Sequence, residues 1–153
     1  MFHCTQCGAF NRVPECRPED DATCGRCGAS LDLSGHPQDM DDATLTRALG
    51  SSSVPVLVDF WAPWCAPCVM AAPLVDQVAQ SFAGELLVLK VDTERHPAAG
   101  TRHGVRSIPT FALFSGGTER ARQIGMLPKA QFREWVARHL LAVQSSQAVA
   151  PSA

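Results

Sequence analysis

The sequence predicts an α/β layered domain, a central mixed sheet flanked by helices, preceded by a small cysteine-rich module. The main domain is predicted because helix-like and strand-like segments alternate from residue 41 and end in a hairpin and one amphipathic helix. The small module is predicted because four of the seven cysteines form two C-x-x-C pairs before residue 30. The expected boundaries are a module at 1–30, a linker at 31–40, a domain at 41–143 and a flexible tail at 144–153.

The first elements of the main domain follow from charge and apolar spacing. The stretch DDATLTRAL opens with carboxylates suited to a helix N-terminus and continues with apolar residues at helical spacing. VPVLVDFWA is a dense β-branched and aromatic run, which predicts a buried central strand. APCVMAAPLVDQVAQSFA predicts a helix with Pro67 near its start, where a missing N–H costs nothing. Pro73 lies inside this helix and is expected to kink it.

The later elements follow in the same way. ELLVLKVD predicts a second buried strand, and TERHPAAGTRHG predicts a short, interrupted helix that ends at Gly104. TFALFSGGTERARQIG predicts two strands joined at Gly116 and Gly117, a hairpin signal. KAQFREWVARHLLAV predicts an amphipathic helix, and QSSQAVAPSA predicts a frayed end.

Composition and charge exclude several classes of function. The formal net charge is −2, which gives no electrostatic case for nucleic acid or an anionic membrane as the main partner. The start, MFHCTQCGAF, has no pattern of a secretory signal, and no apolar run approaches the roughly 20 residues of a membrane helix. We therefore expect a cytoplasmic protein whose thiols are mostly reduced. In that compartment C-x-x-C pairs point to metal binding or catalysis instead of a disulfide framework.

The N-terminal cysteines predict a zinc site. Cys4, Cys7, Cys24 and Cys27 form C-x2-C-x16-C-x2-C, a spacing expected of four thiolates around one ion. A glycine after each pair permits a sharp turn beneath the metal. A segment this short cannot bury enough apolar surface to fold alone, and structural zinc can supply the missing free energy. Iron remains an alternative because tetrahedral sulfur also suits it.

Two further observations define the predicted module. Between residues 12 and 26, three arginines oppose four carboxylates, and four thiolates around a divalent ion add a further −2. Such an anionic module would repel phosphate, which argues against nucleic-acid binding. Cys16 has no partner in the repeat; a bystander thiol, a redox-sensitive thiol and an alternative ligand all remain open.

The third pair, Cys65 and Cys68, has a different context because it follows a buried strand and opens a helix. Unpaired N–H groups and the macrodipole at a helix N-terminus favour a thiolate, which predicts a redox-active pair. A second zinc half-site is the alternative; it would need two more ligands, for which His96 and His103 are available.

Four stretches together, VDFWAPWCAPC, LKVD, VRSIPTFALF and RQIGMLPKAQF, resemble the thioredoxin family over residues 40–143. With the cysteine-rich start, the chain resembles the zinc-binding thioredoxin 2 type of bacteria along nearly its whole length. The resemblance implies a thioredoxin fold with a zinc-ribbon-like module. It also implies that Cys65 attacks a substrate disulfide and Cys68 resolves the mixed disulfide, while Asp59 matches the buried carboxylate that accepts the proton of Cys68. Lys90 matches the lysine near that carboxylate.

The same resemblance implies a substrate-docking surface. Pro109 matches the cis-proline that faces the active cysteines, and the backbone of Ile108 suits pairing with an extended substrate segment. Trp64 matches a flanking tryptophan available for surface contact, whereas Trp61 is expected to pack in the core. Gly125 matches the glycine that keeps the docking surface open.

The implied function is a protein-disulfide reductase that serves oxidised cytosolic proteins as a monomer and is recharged by NADPH and thioredoxin reductase. The zinc site would be structural or redox-responsive. A disulfide oxidant or isomerase, and a binding module that uses the fold only for docking, remain alternatives. Two departures are expected to shift the redox potential from that of the family: Ala66 replaces the family's usual glycine, and Val69 replaces the basic residue common after the second cysteine.

Overall fold

A computed structural model of the chain describes residues 2–13 and 22–148, without the side chain of residue 148. Cys16, the cysteine without a partner in the repeat, lies outside the described residues. The strands are β1 (Phe2–His3), β2 (Phe10–Asn11), β3 (Gln38–Asp39), β4 (Val56–Trp61), β5 (Leu87–Asp92), β6 (Thr110–Ser115) and β7 (Thr118–Ile124). The helices are α1 (Asp42–Ser51), α2 (Ala66–Ser81), α3 (Pro97–Arg102) and α4 (Lys129–Ala148).

Strands β3 to β7 form one mixed sheet in the order β3-β5-β4-β6-β7. The central strand β4 runs parallel to β5 and antiparallel to β6, so that Asp59 lies opposite Lys90 on one side and Phe111 on the other. β6 and β7 form the predicted hairpin through Gly116 and Gly117, whose φ angles of 60° and 79° lie in the left-handed region that favours glycine. The predicted fold class is confirmed.

The sheet has an apolar core on each face, as the two-residue period of its strands requires. Along β4, Leu57 belongs to the cluster beneath α2 and α4, whereas Val56, Val58 and Phe60 belong to the cluster on the face of α1 and α3. Asp59 lies between Val58 and Phe60 on β4, so its side chain is on the opposite face of the sheet, the one that α2 and α4 cover. It is 1% exposed, so its carboxyl is buried there.

Helix α2 is separated from the end of β4 by four residues and has the third cysteine pair at its N-terminus. Its first turn contains Pro67, and the helix continues through Pro73 to Ser81. Pro73 therefore does not end the helix, although it removes one backbone donor from it. The N-cap of α1 is Asp41, whose Oδ1 accepts a hydrogen bond from the Thr44 N–H at 2.7 Å.

Two boundaries differ from the sequence prediction. Strand β3 lies inside the predicted linker at 31–40 and pairs in parallel with β5, with Gln38 opposite Leu89. Helix α4 continues to Ala148, five residues into the predicted tail. Residues 144–148 contain no glycine or proline to end the helix, and Gln147 Nε2 donates a hydrogen bond to Ser115 Oγ at 3.1 Å.

The N-terminal module contacts the main domain at β3 and α1. Gln38 forms two hydrogen bonds with His3: His3 Nδ1 lies 2.8 Å from Gln38 Oε1, and Gln38 Nε2 donates to the His3 carbonyl at 3.3 Å. Phe10 packs against the cluster on the α1 face. The guanidinium of Arg47 lies against Gly8, where an added Cβ would meet Nη2 at 3.7 Å. The described part of the module is thus docked on the edge of the sheet.

Across residues 2–13 and 22–148, no helix has the length and apolar character needed to cross a membrane.

Candidate active site and metal centre

Cys65 and Cys68 lie where the central strand passes into α2, and they form a disulfide. Cys65 is the N-cap of α2, and the backbone N–H of Cys68 points to Cys65 Sγ at 3.3 Å. After reduction this N–H and the positive end of the helix would favour a thiolate at Cys65. The two residues are 5% and 2% exposed, in a small apolar cluster with Ala62, Trp61 and Ile108.

The loop before β6 faces the disulfide. The Ile108–Pro109 peptide bond is cis, and the Ile108 carbonyl oxygen lies 3.8 Å from Cys65 Sγ. The Pro109 carbonyl accepts a hydrogen bond from the N–H of Gly125 at 2.8 Å, which joins this loop to the end of β7. Gly125 has a φ of 85°, a conformation that glycine adopts without strain.

A buried carboxyl lies on the sheet face beneath α2. Burial raises the pKa of Asp59 from 3.8 to about 7, and the positive charge of Lys90 opposes part of that rise. Asp59 Oδ1 has no hydrogen-bond partner among the described residues. Lys90 Nζ lies 4.5 Å from the ring centroid of Trp61, a cation–π contact that orients the ammonium group.

The surface beside the cysteines is apolar. Trp64 is 69% exposed, as expected for a residue that contacts partners, whereas Trp61 is only partly exposed and packs beside the disulfide. Val69, Met70 and Ile124 are also more than half exposed. This surface has the composition of a protein-docking site, with apolar anchors close to the reactive sulfurs.

A cleft of about 570 Å³ extends from Cys65 towards α3. Trp64 and Pro67 line one side, and Val105, Arg106 and Ile108 belong to the loop on the other. The cleft is large enough to hold side chains of an extended peptide beside the disulfide.

The four N-terminal cysteines converge into a second site, well separated in sequence from the disulfide. Their Sγ atoms all lie within 4.8 Å of one another, and the distances Cys4–Cys27 and Cys7–Cys24 are both 3.6 Å. A tetrahedron with Zn–S bonds of about 2.3 Å has edges of about 3.8 Å, so the donor set fits zinc in both chemistry and size. Among the described residues, these four cysteines are the one group of three or more possible ligands close enough to hold a metal ion. The predicted alternative, a second zinc site at Cys65 and Cys68 with His96 and His103, is not such a group.

The two cysteine loops have the same backbone design. The N–H of Gly8 donates to the Cys4 carbonyl and that of Gly28 to the Cys24 carbonyl, both at 2.8 Å. The φ angles of these glycines are 74° and 76°. The short repeat seen in the sequence is therefore a repeated turn that presents two sulfurs to one point.

Asn11 joins the two loops, and sequence reasoning missed it. Its Nδ2 donates to the Ala9 carbonyl at 3.1 Å and lies 3.5 Å from Cys24 Sγ, while its Oδ1 accepts from the Gly25 N–H at 2.9 Å. A single asparagine carries no spacing pattern, so only the folded loops reveal this bridge. Such groups around a metal site orient its ligands.

Comparison with known proteins assigns the chain to a family. The family model of thioredoxin matches residues 37–138. The chain belongs to the thioredoxin family. The family model of the thioredoxin 2 N-terminal zinc ribbon matches residues 3–29, which confirms the resemblance to the zinc-binding type.

Individual thioredoxins agree with this assignment. Thioredoxin 1 of Nostoc sp. is 44% identical over 99 residues, which are 65% of this chain and 92% of that protein. Thioredoxin C-3 of Corynebacterium nephridii is 38% identical over 137 residues, which are 90% of this chain and 93% of that protein. The structure of a mutant thioredoxin from Halobacterium salinarum NRC-1 superposes with a TM-score of 0.63 at 25% identity, over 71% of this chain and 95% of the other.

These thioredoxin relatives, together with the C-x-x-C disulfide, establish thiol–disulfide oxidoreduction, and the chain is a protein-disulfide reductase. The structure brings the predicted residues together in two groups. Cys65, Cys68, Ile108 and Pro109 meet at one end of the sheet. Asp59 and Lys90 lie opposite each other on the neighbouring strands β4 and β5. The four N-terminal cysteines meet in the N-terminal module.

Proposed function

We propose that this thioredoxin reduces disulfides in oxidised cytosolic proteins through Cys65 and Cys68, and that an NADPH-dependent thioredoxin reductase recharges it. The observation that carries the proposal is the position of Cys65 Sγ, which caps α2 and faces both the cis-Pro109 loop and the open cleft. A sulfur placed in this way can be stabilised as an anion and can meet a disulfide in an extended segment.

The reaction conserves atoms and electrons in two exchanges. The Cys65 thiolate attacks one sulfur of the substrate disulfide; that bond breaks, the other sulfur leaves as a thiolate, and a mixed disulfide forms. Cys68 then loses its proton and attacks Cys65 Sγ, which releases the second substrate thiolate and forms the Cys65–Cys68 disulfide. Two electrons pass to the substrate, and the reductase returns two from NADPH.

Asp59 is proposed as the acceptor of the Cys68 proton, directly or through water. A carboxyl with a pKa of about 7 can accept a proton and release it again near neutral pH, which an ordinary aspartate cannot do efficiently. Lys90 supports this role by partly offsetting the cost of the buried negative charge. Lys90 is a positioning residue in this scheme, because it acts through the charge of Asp59. Its ammonium group is held over the Trp61 ring.

Substrate binding is proposed along the loop at Ile108 and Pro109. The Ile108 backbone would pair with an extended segment, Trp64 would supply an apolar contact, and Gly125 would leave space beside the loop. An added Cβ at Gly125 would meet no atom within 4 Å, which supports the open character of this position.

Zinc is proposed as the one bound metal, held by Cys4, Cys7, Cys24 and Cys27. When bound it cross-links the two cysteine loops and supplies free energy of folding, on the order of 10 kcal/mol in small zinc modules. The apolar core of the module contains only Cys4, Ala22, Cys24 and Leu31 as buried residues among those described, which is too little to hold it without the metal. A structural role follows directly; a response of the thiolates to oxidants remains the second possibility.

The remaining parts of the proposal concern organisation and location. We place the zinc module at 1–30 and the catalytic domain up to 143, with helix α4 continuing beyond that limit. Thiols stay mostly reduced in the cytoplasm, which is the compartment we propose for this protein. The predicted monomer remains a prediction.

The test is insulin reduction with thioredoxin reductase and NADPH, using a matched pair of cysteine variants. Cys65→Ser and Cys68→Ser should both lose turnover, because each lacks one half of the cycle. Only Cys68→Ser should accumulate a mixed disulfide with substrate, visible on a non-reducing gel, since it retains the attacking sulfur. Wild-type turnover in Cys65→Ser, or trapping by that variant alone, would contradict the assignment.

A further inference from the structure

The charge around the active-site cleft is concentrated in one side chain. Among the described residues that line the cleft beside Cys65, Arg106 alone is charged. The other walls are apolar or carry hydroxyl groups, as Trp64 and Thr101 illustrate. Arg106 lies two residues before Ile108, on the loop that faces the disulfide. Its charge is therefore presented to whatever segment occupies the cleft.

The guanidinium of Arg106 is also uncommitted. Within residues 2–13 and 22–148, Arg106 forms no hydrogen bond or ion pair, and its side chain is exposed. The two neighbouring arginines differ from it: Arg102 is paired with Asp42 at 2.8 Å and Arg122 with Glu119 at 2.6 Å. All five donors of the Arg106 guanidinium remain available to a partner, and a carboxylate is the group they fit best.

Negative charge lines a different cavity. A second cavity of about 590 Å³, lined in part by Trp61 and Pro63, is bordered by three carboxylates. Those carboxylates are Asp39, Asp41 and Asp92, against the side chains of Arg95 and His96. The two cavities share no lining residue. The three carboxylates therefore belong to a cavity separate from the cleft that Arg106 lines.

We infer that Arg106 selects substrate segments with an aspartate or glutamate within two residues of the reactive cysteine. The inference rests on the proposed function and specifies its substrate class. Two residues of extended chain span about 7 Å, within the reach of an arginine side chain beside Ile108.

The test uses three disulfide-linked peptides that are identical except at one position, two residues from the reactive cysteine. That position is Glu in the first peptide, Gln in the second and Lys in the third. The wild-type kcat/KM for the Glu peptide should exceed that for the Gln peptide about three-fold, the effect expected of one exposed ion pair. The Lys peptide should be the slowest of the three. The preference should shrink in about 1 M salt, where the Debye length is about 3 Å.

Charge variants assign the effect to one residue. Arg106→Gln should remove the preference, and Arg106→Glu should reverse it in favour of the Lys peptide. Arg95→Gln is the matched control, because Arg95 is an exposed arginine near the same end of the sheet that lines the acidic cavity instead. This control should retain the wild-type order of peptides.

Two results would overturn the inference. If wild-type protein reduces insulin but reduces all three peptides with equal kcat/KM, or if Arg106→Gln keeps the preference, the selectivity is wrong and the proposed function stands. If wild-type protein reduces neither insulin nor any peptide, the proposed function is wrong and the inference fails with it.

Discussion

Replacing Asp59 with asparagine should change how the stability of the fold depends on pH. Asparagine has nearly the same shape but cannot ionise, so the Asp59→Asn variant removes one titration from a site that is 1% exposed. In the folded protein burial raises the pKa of Asp59 to about 7, compared with 3.8 for an ordinary aspartate. That difference corresponds to about 4 kcal/mol between the protonated and charged forms.

The sign follows from proton binding. Between about pH 4 and 7 the folded protein keeps the Asp59 proton while the unfolded chain has lost it, so rising pH destabilises the fold. The wild-type free energy of unfolding should therefore fall relative to Asp59→Asn by about 1.4 kcal/mol per pH unit in this range and level off above pH 7.

The assay is denaturant unfolding of both proteins at a series of pH values from about 5 to 8, with zinc bound and with Cys65 and Cys68 oxidised so that these thiols do not titrate. Asp32→Asn is the control. Asp32 is an exposed carboxyl whose pKa is lowered by hydrogen bonds from Ser34. Its contribution to the free energy of unfolding is therefore lost only as the pH falls below the usual pKa of an aspartate. Parallel pH profiles for wild type and Asp59→Asn would refute the reasoning about burial.

Two further predictions concern the zinc site and the docking loop. Asn11→Ala should weaken zinc binding about ten-fold in a chelator competition, because it removes the bridge between the two cysteine loops. Gln38→Ala, which loses contacts to His3 outside that bridge, should bind zinc as wild type does; equal losses in both variants would show that docking alone matters. Gly125→Ala should lower the free energy of unfolding by about 1–2 kcal/mol, because its φ of 85° is left-handed. Gly50→Ala, at an open position inside α1, should raise it by up to about 1 kcal/mol; a loss there and none at Gly125 would contradict the backbone argument.

Much of the central fold could be predicted because local signals and tertiary structure agree there. β4 and β5 are dense runs of β-branched and aromatic residues, and the structure buries both of their faces. The hairpin between β6 and β7 was predicted from two glycines that the turn requires. In these segments the residues that form the element are also those that pack its core.

The edges of the domain were less predictable because they depend on distant contacts. β3 has two residues within a segment that mixes Gly, Pro and Ser, and only its pairing with β5 makes it a strand. The last turns of α4 contain polar residues typical of a tail, yet Gln147 is anchored by Ser115 across the fold.

The candidate site divides in the same way. Both cysteine sets could be predicted from spacing, and the catalytic roles came from the resemblance to thioredoxins. Asn11 could not be predicted, because its importance lies in where two loops meet. Arg106 could not be singled out either, since its free guanidinium is notable only once Asp42 and Glu119 are seen to pair with other arginines.

A redox titration of the intact protein, with zinc content measured at every point, tests most directly whether the two cysteine sets do separate work. We expect a single dithiol–disulfide transition, assigned to Cys65 and Cys68 by mass spectrometry of alkylated peptides, while zinc remains bound throughout. Release of zinc in step with that transition, or alkylation of Cys4 and Cys27 before Cys65 in the reduced protein, would contradict the account.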